Sequence, residues 1–258
     1  SPDRRKENPP DGGTAGRTLT EKGHREAALL AERAEDLNLG RCFVSPLGRA
    51  RDTAAYCLKK TGYKARTLDW LEEFPARLDL NKVPQLRKAY PNSRMKDGEY
   101  VPRVVWDMAP AYWTEHEEYF DCRKWRETEV CRNSDAVATY DRVTEAFDRF
   151  LADFGYVREK AHYRVEKANM DTVTFFCHFG VTCVLLSRLW NVSPFILWHS
   201  LALAPTSVTE VVTEEREEGT AYFRGLKLGD VSHLYAGKEP VSFAARFCEI
   251  FSDREHRH

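Results

Sequence analysis

At 258 residues the chain is long enough for one large α/β domain or two small ones, either with a real hydrophobic core. Its 42% hydrophobic and 31% charged residues are ordinary for a soluble globular protein, and 39 Lys plus Arg nearly balance 40 Asp plus Glu. That balance argues against a nucleic-acid or membrane-surface partner, so an anionic ligand would have to be caught by a local basic cluster. The seven cysteines are scattered and form no C-x-x-C pair. They read as reduced thiols rather than a disulfide framework or zinc site, which points to the cytoplasm. The first residues are polar, without an apolar signal-peptide segment. The most apolar stretch, Val173 to Trp190, is interrupted by His178 and Arg188 and does not read as a membrane span.

Residues 1–17 carry prolines and glycines without periodicity and read as a loop. Thr20 is placed to cap a helix over Glu21–Leu37, with Ala27, Leu30, Ala31 and Ala34 at helical spacing. Cys42–Val44 is a short buried strand that stops at Ser45-Pro46. A helix over Gly48–Thr61 and a strand near Lys64–Leu68 follow, and this β–α–β alternation favours a mostly parallel sheet covered by helices. Residues 74–133 break the pattern with prolines and dense aromatics, including Tyr90, Trp106, Tyr112, Trp113 and Trp125. A loop-rich excursion of that length reads as a lid or specificity insertion inside a single domain spanning 1–258. Helical spacing resumes over Ser134–Phe154 and ends at Gly155. Then come a strand at Thr172–Cys177, a helix over Val181–Trp190, and strands at Val208–Thr213 and Ala221–Leu226 joined by a charged turn. A last helix is predicted over Val241–Phe251.

Three clusters could carry chemistry. In Ser45-Pro46-Leu47-Gly48-Arg49, a strand ends and a helix begins at once. Arg49 therefore sits where free backbone N–H groups already favour an anion, and its planar fork can hold two phosphate oxygens. In Phe175-Phe176-Cys177-His178-Phe179-Gly180, an apolar strand delivers His178 at its carboxyl end, where open α/β sheets bind ligands. In Leu71-Glu72-Glu73-Phe74, a carboxyl group between apolar neighbours can have its pKa raised and act as a general acid. Taken singly, each has a plainer reading: a surface arginine, a hydrogen-bonded structural histidine, a solvated turn.

Taken in order, these clusters and the helix motif Leu19-Thr20-Glu21-Lys22-Gly23-x-x-Glu26-Ala27 resemble the histidine phosphatase superfamily, over about residues 17–235. The segments around Trp70–Phe74 and Val105–Trp113, and Ala204-Pro205-Thr206-Ser207-Val208-Thr209, look closer to a bacterial branch of uncharacterised phosphatases. The resemblance implies an α/β fold of phosphoglycerate-mutase type, with a mostly parallel central sheet flanked by helices and a long aromatic-rich insertion. It also implies hydrolysis of a small phosphorylated metabolite through a phosphohistidine. Arg49 and His178 would then hold the phosphoryl oxygens, and Glu73 would protonate the leaving oxygen, with Glu72 as the fallback. Thr206 and Ser207 would contact substrate. No metal or other cofactor is implied, and a homodimer is compatible with the sequence.

One departure stands out. The family's Arg-His-Gly motif, which carries the nucleophile, has no counterpart ahead of Leu19, and none of the other histidines has that context. The expectation is a phosphohydrolase lacking its first strand and inactive as 258 residues. A non-catalytic phosphate-binding relative and a mutase-type phosphotransferase are the alternatives.

Overall fold

The computed structural model describes residues 18–242 and 249–257. Thr20 caps α1 (Glu21–Ala34), its hydroxyl accepting the Gly23 N–H at 3.1 Å, and Ala27, Leu30, Ala31 and Ala34 form the buried stripe. The helix ends three residues before Leu37. There the Asp36 and Leu37 N–H groups turn back to the Arg33 and Ala34 carbonyls, tightening the last turn. Gly40 follows with φ +55°, and a Cβ there would meet the Thr172 carbonyl oxygen at 2.1 Å. Glycine lets the chain enter β1 (Arg41–Val44) this closely. After β1 come α2 (Gly48–Thr61), at its predicted bounds, and β2 (Ala65–Thr67).

Beyond the insertion are α3 (Ala136–Asp153), β3 (Tyr156–Glu159), β4 (His162–Val165), β5 (Val173–Phe176), α4 (Phe179–Trp190) and α5 (Pro194–Ser200). Then follow β6 (Val208–Glu217), β7 (Thr220–Asp230), α6 (Ser232–Ala236), β8 (Glu249–Ile250) and β9 (Asp253–Arg257). The strands form a parallel sheet of order β2-β1-β5 and an antiparallel sheet of order β6-β7-β4-β3. In the first, Cys42–Val44 lie beside Ala65–Thr67 on one side and Thr174–Phe176 on the other. Among the described residues β5 and β6 are edge strands of these sheets.

Several elements differ from expectation. The β3–β4 hairpin and α5 were not foreseen. The charged stretch expected to be a turn continues β6 to Glu217, because Glu214 pairs with Arg224 across the ladder and the reversal needs only Glu218 and Gly219, the glycine at φ +77°. The helix expected over 241–251 lies mostly outside the described residues, and at its far end Glu249–Ile250 pairs as a strand with β9.

Residues 74–133 fold as short pieces. A 3-10 segment spans Pro84–Ala89, Arg77–Leu78 pairs with Arg103–Val104, and a short helix covers Pro110–Thr114. Most of its aromatics are core residues. Tyr90, Tyr112, Tyr119 and Trp125 are buried in one cluster with Phe147, Leu185 and Phe195. Trp125 meets Tyr140 edge-on at 4.9 Å, and Tyr119 meets Phe195 at 4.8 Å. Trp106 and Trp113 stay half-buried. Among the described residues no helix is long and apolar enough to cross a membrane, and Cys42, Cys57, Cys122, Cys131, Cys177 and Cys183 are free thiols.

Candidate active site

The β1–β5 ladder runs one step past β1, where the Ser45 N–H donates to the Phe176 carbonyl at 2.9 Å. Ser45 is fully buried, and its Oγ accepts the Leu47 N–H at 3.2 Å, which turns the chain into α2. Leu47, at the cap position, offers no side-chain acceptor, so the start of α2 is open to an external anion. Arg49, second in that helix, is half-buried. Burial lowers its pKa from the usual guanidinium range, partly offset by Glu73. Among the described residues its guanidinium has no hydrogen-bonded or ion-paired partner.

Two adjacent carboxylates diverge after the 3-10 turn at Asp69–Leu71. Glu72 turns outward to Arg142 at 3.6 Å. Glu73 turns inward, where its Oε1 accepts the Phe74 N–H at 2.9 Å and the Val181 N–H at 3.3 Å. Burial raises the Glu73 pKa, against the opposing pull of the Phe74 N–H and the Arg49 charge. Gly180 makes room for this approach. A Cβ there would lie 2.7 Å from Glu73 Oε1 and 2.7 Å from the Trp106 ring. Trp106 in turn packs on Trp198 at 5.4 Å, and the Trp198 indole N–H donates to the Gly180 carbonyl at 3.0 Å.

His178 sits at the carboxyl end of β5 as the cap residue of α4, buried, its Nε2 2.8 Å from Ser45 Oγ. Burial and the nearby Arg49 push its pKa down to about 3, so the ring is neutral at physiological pH. The neighbouring Cys177 thiol is pushed up to about 11, chiefly by burial, and is no thiolate nucleophile at neutral pH.

Arg49, Glu72, Glu73, His178, Thr206 and Ser207 all line one cleft of about 2180 Å³, Glu72 with its carboxylate 3.6 Å from Arg142. The cleft continues inward between β5 and β6, over apolar side chains of α1, α3 and α4 such as Leu30, Phe150 and Leu186. Trp106 and Trp113 form part of its wall. Sequence reasoning passed over His199, which also lines it. Both its ring nitrogens are engaged, Nδ1 with the Phe195 carbonyl at 2.7 Å and Nε2 with the Met108 N–H at 3.0 Å. His233 was also passed over; it contacts the cleft through Thr206. No local pattern marks either residue: Met108 lies 91 residues from His199, and Thr206 lies 27 from His233.

The family model for the histidine phosphatase superfamily (branch 1) matches residues 5–100. No curated protein matches significantly in sequence. Among solved structures, the product of an open reading frame of Mycobacterium tuberculosis is similar at 17% identity and a TM-score of 0.51, over 86% of this chain and 88% of that one. A mycobacterial hydrolase is similar at 15% identity and 0.50, over 83% and 87%. A phosphoserine phosphatase mutant from Entamoeba histolytica, in complex with phosphoserine, is similar at 15% identity and 0.50, over 84% and 89%. At these identities the likeness is one of fold.

Proposed function

We propose that the chain, whose residues 5–100 match the histidine phosphatase family model, is a phosphomonoester hydrolase of that superfamily whose pocket holds the phosphoryl group of a small metabolite between Arg49, His178 and the first turn of α2. The carrying observation is Arg49: a half-buried guanidinium with no partner among the described residues, facing the cleft that Glu73 and His178 share. A partly desolvated cation without a counter-ion is unfavourable, and a phosphoryl dianion fits its fork.

The roles follow from the geometry. Arg49 takes two phosphoryl oxygens, and uncapped N–H groups of α2 take a third. His178 Nε2 pairs with the Ser45 hydroxyl at 2.8 Å, and in the tautomer where that hydroxyl donates, the single proton of the neutral ring lies on Nδ1 and serves as a further donor to the anion. Burial favours the protonated form of Glu73, which gives its proton to the leaving oxygen as the P–O bond breaks and an N–P bond forms on an acceptor imidazole. Water then attacks phosphorus, the Glu73 carboxylate takes its proton, and inorganic phosphate and the free imidazole result. A second substrate hydroxyl in place of water gives the mutase variant.

His178 is committed to the anion and His199 has both nitrogens occupied. In this reading neither of these two rings is the acceptor imidazole. The same observation favours a second reading, phosphate binding without turnover, for the 258 residues by themselves. The free thiols support a cytoplasmic location. Calorimetric titration with inorganic phosphate tests the pocket: Arg49→Ala should weaken binding at least about tenfold. A wild-type chain that takes up no phosphate would overturn the reading.

A further inference from the structure

We propose that His233, set by Arg33, is a positioning residue that turns the hydroxyl proton of Thr206 into the cleft as a donor to the bound anion. This rests on the phosphate-pocket reading above and extends it to His233 and Arg33, which lie outside the recognised motifs.

Thr206 is the third residue of a turn from Ala204 to Ser207, closed by the Ser207 N–H donating to the Ala204 carbonyl at 3.0 Å. Pro205 is the second residue, and Thr206 has φ +61°. That arrangement normally takes glycine in third place, and a β-branched residue there is strained. The strain is retained where the hydroxyl is needed, and here the hydroxyl is held. His233 Nε2 lies 3.0 Å from Thr206 Oγ1, and His233 is 5% exposed.

The direction of that hydrogen bond can be worked out from the other side of the ring. Arg33 Nη1 lies 3.5 Å from His233 Nδ1, and a guanidinium can only donate. Nδ1 is therefore the acceptor, the ring proton is on Nε2, and Nε2–H donates to Thr206 Oγ1. The Thr206 hydroxyl accepts that bond, and its own proton is left to point into the cleft, which Thr206 lines together with Arg49 and His178. Arg33 is fixed from α1 by Asp230 at 2.6 Å, whose other oxygen accepts the Ser232 N–H at 2.8 Å. Burial and the Arg33 charge both keep the His233 ring neutral, as this relay requires, against the weaker pull of Asp230.

Two measurements on the whole chain test this. Nitrogen-15 NMR of the histidine rings should show His233 with its proton on Nε2; a proton on Nδ1 overturns the relay. Inorganic phosphate binding should weaken about tenfold in Thr206→Gly, which relieves the backbone strain but removes the donor, and should stay near wild type in Thr206→Ser. His233→Ala should weaken it several-fold, with His233→Gln restoring part of the loss through its amide N–H. Adding His233→Ala to Thr206→Gly should cost no further affinity. If Thr206→Gly and His233→Ala bind phosphate as wild type does while Arg49→Ala does not, the pocket stands and this inference falls. If Arg49→Ala also binds normally, the pocket reading fails and takes this one with it.

Discussion

Ser45 and His178 meet at 2.8 Å, hydroxyl against Nε2, across the ends of two neighbouring parallel strands. The contact ties the α2 start, where Arg49 lies, to the α4 start, where Glu73 is bonded. Removing the hydroxyl should leave a buried ring nitrogen unpaired and the ring free to turn. Ser45→Ala should therefore lower stability by about 1–3 kcal/mol and weaken phosphate binding, as urea unfolding and calorimetry would show. Unchanged affinity would mean that His178 does not face the anion.

His178 also makes a statement about acid stability. Its folded pKa, pushed down to about 3, lies below the ordinary value of 6.5, so the unfolded chain takes up the proton first. Stability should be full above about 6.5 and decline by up to about 1.4 kcal/mol per pH unit as pH falls toward 3. His199 and His233, also lowered by burial, act in the same direction. Urea unfolding at pH 7 and pH 5 should show a smaller difference for His178→Gln than for wild type. Phosphate bound beside the ring should raise its pKa, so binding at pH 5 should take up protons, measurable by titration in buffers of different ionisation enthalpy.

Glu73 works the other way. Its folded pKa is raised by burial, so it contributes fully below the ordinary carboxyl value and loses stability as pH rises through the folded value. Glu73→Gln keeps an oxygen for the Phe74 and Val181 N–H groups and cannot ionise. It should be more stable than wild type at pH 8, with the gap closing near pH 4. An equal melting temperature for both proteins at pH 8 would contradict a buried, proton-holding Glu73. Gly180→Ala should lose this geometry, since its methyl would collide with Glu73 Oε1 and Trp106.

What the sequence made legible was local. Helix α2, the strand ahead of Ser45 and the β5–His178–α4 junction follow from apolar runs, a proline stop and helical spacing within a dozen residues. The Glu72/Glu73 ambiguity was not local. It turns on Arg142 drawing one carboxylate outward and the α4 N–H groups drawing the other inward. The aromatics of residues 74–133 read as a rim because they lack a period, yet most are buried against α3, α4 and α5. Their packing is set by neighbours far along the chain. The His233–Thr206 tie spans 27 residues and the Arg33–Asp230 pair 197, so no window on the sequence reveals them.

β5 and β6 border one cleft. Both are edge strands among the described residues, and Val173–Phe176 on one and Val208–Thr213 on the other line the same cleft, over an apolar floor. In a parallel ladder, alternate residues direct their backbone groups to opposite sides, so those of Val173 and Phe175 that face away from β1 have no ladder partner among the described residues. An extended apolar strand inserted there would satisfy both edges and bury the floor. One ending in Arg-His-Gly would also bring an acceptor imidazole and a second guanidinium to the strand ends, beside Arg49, Glu73 and His178. The 258 residues alone should therefore bind phosphate but leave p-nitrophenyl phosphate intact. A synthetic peptide of that pattern, added in trans, should raise the melting temperature and start turnover. The same peptide with its histidine replaced by alanine should raise the melting temperature without turnover, because the acceptor of a covalent mechanism is missing. Hydrolysis by the 258 residues without peptide, abolished by His178→Ala, would make His178 itself the acceptor and leave the space between β5 and β6 without a catalytic part.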